Sequence, residues 1–208
     1  MVEFLKYREQ GDYHWKEFQQ DCVYRDHVLK VVGWVKGEKI LDIGCGDGLI
    51  TSKIGAKGID TDEEGIRLAQ VHGVPCEVMN AYDVKGIYDS VFLGDTLEHL
   101  EYPGQAIEAI GRITNTVYVV VPTESDADDC NEWNYNTLRV FMLNLGWNED
   151  STETTNFRIY GKYTKIIPDL HLFRAKAKTP KNPKRKPKRK ANPSGRPRKR
   201  AVRKAKGS

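Results

Sequence analysis

The chain has 208 residues, enough for one domain of ordinary size with an appendage, and its net charge of +4 describes neither part. Residues 176–208 carry 16 Lys or Arg and no acid, whereas residues 1–175 carry 17 basic against 29 acidic side chains, an asymmetry that predicts an interaction tail on an acidic globule. Cys22, Cys45, Cys76 and Cys130 form no Cys-x-x-Cys pair or zinc-like spacing, so free buried thiols in a reducing compartment are expected. No apolar run approaches the ~18 residues of a membrane span and no apolar signal region opens the chain. A soluble intracellular protein is expected, cytoplasmic, or nuclear in a eukaryotic host.

In chain order, residues 1–37 read as helical, with Phe18, Cys22, Val28, Val31, Val32 and Val35 at helix-compatible spacing. Tyr7, Tyr13, His14 and Trp15 cluster around the breaker Gly11-Asp12. Ile40, Leu41 and Ile43 make a short apolar run expected as a buried parallel strand. Gly44, Gly46 and Gly48 follow at alternate positions, and residues 49–54 are expected to start a helix. Strand, glycine turn and helix form the first half of a nucleotide-binding βαβ unit, whose glycines leave room for a ligand. The spacing is Gly-x-Gly-x-Gly, and Leu49 stands where a dinucleotide fingerprint has its last glycine. Asp42 lies two residues before Gly44 and Asp47 inside the turn, and two carboxylates suit an ammonium and a sulfonium better than a pyrophosphate. Residues 56–60 read as a second strand ending in Asp60, placed near the ~20-residue offset of a ribose-binding acid.

At these residues the chain resembles the class I S-adenosylmethionine-dependent methyltransferases, with Asp42-Ile-Gly-Cys-Gly-Asp-Gly48 standing as their first motif. The resemblance covers residues 13–175 and implies S-adenosyl-L-methionine as cofactor. It implies cofactor contacts from Asp42, Gly44, Cys45, Gly46, Gly48, Asp60, Thr61, Asn80, Ala81 and Gly94. The fold it implies is α/β: a Rossmann-like, doubly wound, mostly parallel seven-stranded sheet with a C-terminal antiparallel hairpin. Residues 1–37 would be a helical cap, 38–175 the cofactor-binding domain and 176–208 the tail. Related enzymes use such a cap as a lid over the cofactor; simple packing of its aromatics on the sheet is the other reading.

Further along, Asp62 is expected to cap a helix ended by Gly73 and Pro75. Residues 76–79 read as a third strand leading to Asn80, an adenine contact by resemblance and a turn former by propensity. Residues 87–94 read as a fourth strand, a helix follows Pro103, and residues 117–121 read as a fifth strand. Residues 138–147 read as a helix ending at Gly146, with residues 157–160 and 170–173 as the closing antiparallel pair. Asp95, Glu98 and His99 stand at i, i+3 and i+4 and would share one face of a helical turn. His99 is the candidate general base, with Glu98 as its catalytic neighbour. The trio resembles the metal-binding set of small-RNA 3′-end 2′-O-methyltransferases. Residues 130–133 lack the further histidine of that set, so no metal is expected. Gly94-Asp95-Thr96-Leu97 replaces the Asn/Asp-Pro-Pro-aromatic motif of DNA base-amino methyltransferases, and residues 124–129 are acidic. Both features favour a small molecule or a protein side chain as acceptor.

The tail interleaves cations with prolines and is expected to be disordered. Gly195-Arg196-Pro197 resembles an AT-hook in which Ser194 replaces the first arginine. A nonspecific polycation, an import signal and a clamp on the acidic body are its other readings. The expected protein is a monomeric methyltransferase of unidentified acceptor that touches DNA or RNA through its tail and no membrane. The other class is a non-catalytic nucleic-acid-binding protein that keeps this fold.

Overall fold

Every residue of Ile40–Ile43 (β1) is buried, as a central parallel strand covered on both faces requires. The computed structural model describes residues 6–126 and 129–167. β1 lies parallel to Lys57–Asp60 (β2), with Asp42 opposite Gly58, and to Ser90–Gly94 (β4), with Asp42 opposite Phe92. Cys76–Val78 (β3) extends the sheet beyond β2, and Thr116–Pro122 (β5) extends it beyond β4. Trp147–Thr154 (β6) and Arg158–Lys165 (β7) complete seven strands in the order β3-β2-β1-β4-β5-β7-β6. The order reverses between β1 and β4, so the turn after β1 opens at the crevice where such sheets hold ligands.

Alternate residues of the strands feed two apolar layers. Leu41, Ile43, Val91, Leu93, Val117 and Val119 pack with Ile107 and Ile110 of Pro103–Ile110 (α6) and with Leu138 and Met142 of Tyr135–Asn144 (α7). Ile40, Phe92, Tyr118 and Val120 pack on the other face with Val31 of Cys22–Trp34 (α3). Helices on both faces of a mostly parallel sheet make the doubly wound α/β architecture expected from the sequence.

Several boundaries differ from expectation. The N-terminal stretch is three helices, Lys6–Gln10 (α1), Tyr13–Gln20 (α2) and α3. Gly11 at φ +68° breaks the first pair, and Asp21 caps α3 by accepting from the Val23 and Tyr24 N–H groups. β4 begins only at Ser90, because Ile87 is exposed. α7 is set earlier than expected by Asn134, whose side chain accepts from Thr137 N–H in a capping box, and Trp147 then opens a strand. The closing pair is β6 with β7, bulged between Glu149 and Ser151, so residues 157–160 pair with the segment before them. Residues 170–173, the AT-hook-like motif and the whole tail lie outside the described residues. Leu49–Ile54 (α4) and Glu63–Val71 (α5) stand where expected, with Asp62 accepting from Gly65 N–H at the start of α5. All four cysteines are free, but Cys22 and Cys130 are exposed and only Cys45 and Cys76 are buried. Among the described residues no helix is long and apolar enough to cross a membrane.

Candidate functional site

The glycine turn is pinned to the neighbouring strand, since the Gly44 and Cys45 N–H groups both donate to the Ile59 carbonyl at 2.8 and 3.1 Å. Gly44 and Gly46 hold φ of +77° and +53°, a region that L side chains avoid. A Cβ on Gly44 would strike the Thr96 side chain, and one on Gly46 would strike the Tyr7 hydroxyl. The absent Cβ atoms therefore make room for the protein's own side chains. Thr96 is itself fixed, with its hydroxyl 3.2 Å from the Ile43 carbonyl and 2.9 Å from that of Gly94.

The acids around the turn have different occupations. Asp60 ends β2 and accepts from Gly46 N–H at 2.8 Å and Asp62 N–H at 2.9 Å. Burial raises its pKa while those N–H groups pull it down. Asp42 is buried and accepts the Thr51 hydroxyl at 2.6 Å, so it ties β1 to α4; burial pushes it up to about 7. Asp47 is fully buried, and its carboxylate accepts from His14 N–H at 3.1 Å and lies 3.2 Å from His14 Nδ1. Trp15 donates its indole N–H to the Asp47 carbonyl at 2.9 Å and stacks on His72 at 4.0 Å. Tyr7 stacks with Tyr13 at 5.5 Å. The aromatic cluster singled out in the sequence is therefore seated on the glycine turn.

The remaining residues named from the sequence are placed as follows. Cys45 is buried beside Cys76 and Gly58. Gly48 begins α4 in the left-handed region, and Thr61 is exposed between Asp60 and Asp62. Asn80 accepts from Tyr82 N–H at 3.1 Å and so caps the short turn Ala81–Asp83, in which Ala81 is buried. The Phe92 ring fills the space a Cβ on Gly94 would enter.

Asp95, Glu98 and His99 do not share a helical face. Asp95 sits at φ +46°, uncommon outside glycine, and a short 3-10 turn, Leu97–His99, follows it. The three side chains take separate partners. Asp95 is held by Arg158 of β7, with Nε at 2.9 and 3.2 Å and Nη2 at 2.9 Å. Glu98 is 1% exposed, and its Oε2 finds no hydrogen-bond partner among the described residues. Burial, with Asp95 nearby, pushes Glu98 up to about 9, so it is a neutral acid at physiological pH. His99 is exposed, with Nδ1 3.1 Å from Asp129 Oδ1. Asp129 and Arg158 were missed in the sequence. Asp129 arrives on the loop after β5, where Cys130 and Asn131 N–H groups donate to the Glu98 carbonyl at 2.8 and 3.0 Å. Arg158 arrives through the β5–β7 pairing, opposite Pro122. No periodicity marks either.

Known proteins resemble this chain in sequence and in fold. The ubiquinone biosynthesis O-methyltransferase of Alkalilimnicola ehrlichii is 29% identical over 42% of this chain and 42% of its own length. That of Sodalis glossinidius is 31% identical over 42% of this chain and 41% of its own. The chain thus spans about two fifths of the curated relatives it matches. Magnesium protoporphyrin IX methyltransferase from Synechocystis PCC 6803, solved with bound SAH, shares the fold at a TM-score of 0.62 and 16% identity, over 77% of this chain and 96% of that one. The methyltransferase domain family matches residues 15–158, most of the described structure, and the chain belongs to that family.

Proposed function

We propose that this chain transfers a methyl group from S-adenosyl-L-methionine to an acceptor, and that its basic tail contacts nucleic acid. The observation that carries the cofactor assignment is the Asp60 carboxylate, held by two backbone N–H groups beside a glycine turn. An ionised carboxylate has about four lone-pair sites, so two remain for a ribose diol. The sulfonium suits the turn's surroundings, where Asp47 and Asp60 supply negative charge and Tyr7 and Tyr13 supply ring faces. Residues 1–37 serve as the lid, through His14 and Trp15 on Asp47.

When bound, S-adenosyl-L-methionine supplies an activated methyl and a good leaving group. The protein's part is to position the acceptor and move its proton. His99 suits that role, with the Asp129 carboxylate 3.1 Å from Nδ1 to orient its ring. Glu98, neutral below about pH 9, serves as a buried donor rather than as a second base. The curated relatives are O-methyltransferases by name, and a hydroxyl acceptor agrees with a histidine base. The tail proposal rests on charge: 16 cations without an acid bind a polyanion by releasing its condensed counterions.

Calorimetry with S-adenosyl-L-methionine is the first test. Saturable heat, lost in Asp60→Ala, is expected; no binding at millimolar ligand would overturn the enzyme reading. A methyl-tritium transfer screen over nucleic acids, proteins and metabolites then finds the acceptor.

A further inference from the structure

Between the start of α3 and the β6–β7 connection lies a cavity of about 190 Å³. An apolar cavity of about 150 Å³ accepts benzene, so this one has room for one ring and a small substituent. Its walls are mostly apolar: Val23 and Phe157 stand exposed in it, and the Tyr160 ring lines it further in. Two cations line it as well, Lys30 and Arg158, both half-buried. The one acid in the lining, Asp26, is exposed, where water screens it.

Arg158 has donors to spare. Its Nε and Nη2 are used on Asp95, while Nη1 makes no hydrogen bond among the described residues. Lys30, which also lines this space, touches Glu153, and its ammonium lies 4.0 Å from the Tyr160 ring centroid. His27 completes the inner wall, with Nδ1 2.8 Å from the Tyr160 hydroxyl. Burial, reinforced by Arg158, holds His27 down at about 4, so it is uncharged; the half-buried charges of the lining are Lys30 and Arg158, each already touching one acid, Glu153 and Asp95. Arg158 also fixes the cavity's place. It pairs with Asp95, the residue after Gly94, at the carboxyl edge of the parallel strands where the proposed methyl transfer occurs.

We infer that this cavity binds the methyl acceptor by its anionic end, a single planar ring bearing a carboxylate, with Arg158 and Lys30 holding the charge and Tyr160 and Phe157 the ring. The inference rests on the methyltransferase reading for the word acceptor; the anion site itself does not. The probes are benzoate and its neutral isostere benzamide, titrated into the full chain and followed by protein NMR. Benzoate should shift resonances of α3 and of Arg158–Tyr160, and benzamide should bind at least about tenfold more weakly, the value of one charge-assisted hydrogen bond. Lys30→Gln, at a half-buried site outside the core, should weaken benzoate and leave benzamide unchanged.

Equal binding of the two probes, shifts confined to other regions, or no binding would overturn the site. Phenyl phosphate binding more tightly than benzoate would overturn the carboxylate assignment in favour of a phosphate. Calorimetry on the same sample separates the two readings. Cofactor heat without benzoate binding sinks the cavity alone, whereas benzoate binding without cofactor heat sinks its role as an acceptor site.

Discussion

Replacing Gly44 by alanine tests whether the turn is shaped by the protein or by its ligand. At φ +77° a Cβ costs about 1–2 kcal/mol in backbone strain. The same Cβ would meet Thr96 Oγ1, Cγ2 and Cβ, and forcing atoms into a packed site costs about 1–3 kcal/mol more. Thr96 cannot swing aside without losing its contacts to the Ile43 and Gly94 carbonyls. Gly44→Ala should therefore lose about 2–5 kcal/mol, measured by urea unfolding under circular dichroism, or roughly 5–15 °C in Tm. Thr96→Ala alone should lose about 1 kcal/mol with its hydroxyl. The double variant removes two of the three colliding atoms and keeps Thr96 Cβ, so relief is partial. It should be at least about 1 kcal/mol more stable than the sum of the single losses implies. Additivity within ~0.5 kcal/mol would refute the packing argument, and loss of cofactor binding at unchanged stability would return the space to the ligand.

Glu98→Gln should change the pH dependence of stability. The folded acid titrates near 9 and the unfolded one near its ordinary 4.5, so the folded state binds more protons between those values and stability falls as pH rises through that window. The neutral variant escapes this, and its advantage over the parent should grow by up to ~4 kcal/mol between pH 5 and 8; a constant gap in denaturant titrations would refute it. Asp60→Ala should weaken S-adenosyl-L-methionine by about 1.5–3 kcal/mol and also destabilise the fold, because the Gly46 and Asp62 N–H groups lose their acceptor. Asp60→Asn should lose less in calorimetry, and parental affinity in both variants would remove Asp60 from the ribose. Full-length protein should lose ~10³–10⁵-fold in DNA affinity between 50 and 200 mM salt if roughly six to ten cations engage. Deleting residues 176–208 should abolish binding in fluorescence anisotropy without touching cofactor affinity, and binding that survives would move the site to the body.

What could be read from the sequence is what local chemistry determines. Ile40–Ile43, the glycine turn, α4 and the Asp62 cap are short-range patterns, and they stand where expected. β6 was missed because only Trp147 is fully buried along it, so its remaining polar residues give no alternation to detect. Asp95, Glu98 and His99 misled for the opposite reason. Their spacing fits a helix, but Asp95 takes a left-handed conformation and an ion pair with Arg158, 63 residues away in sequence. The His99–Asp129 contact likewise depends on a loop closed by backbone hydrogen bonds to Glu98, which no spacing announces.

The bulge in β6 has a consequence for the protein in crowded solution. A sheet that ends in a long, flat strand invites another copy to continue its ladder. Here one outer strand, β3, is only three residues long. The other bends at its bulge and carries Glu149, Asp150 and Glu153 along its length. A second sheet meets only three residues of strand at one margin and, at the other, a bulged strand whose acids are engaged by Arg139, Lys162 and Lys30. Neither margin of the sheet thus offers the long, flat edge that invites strand addition.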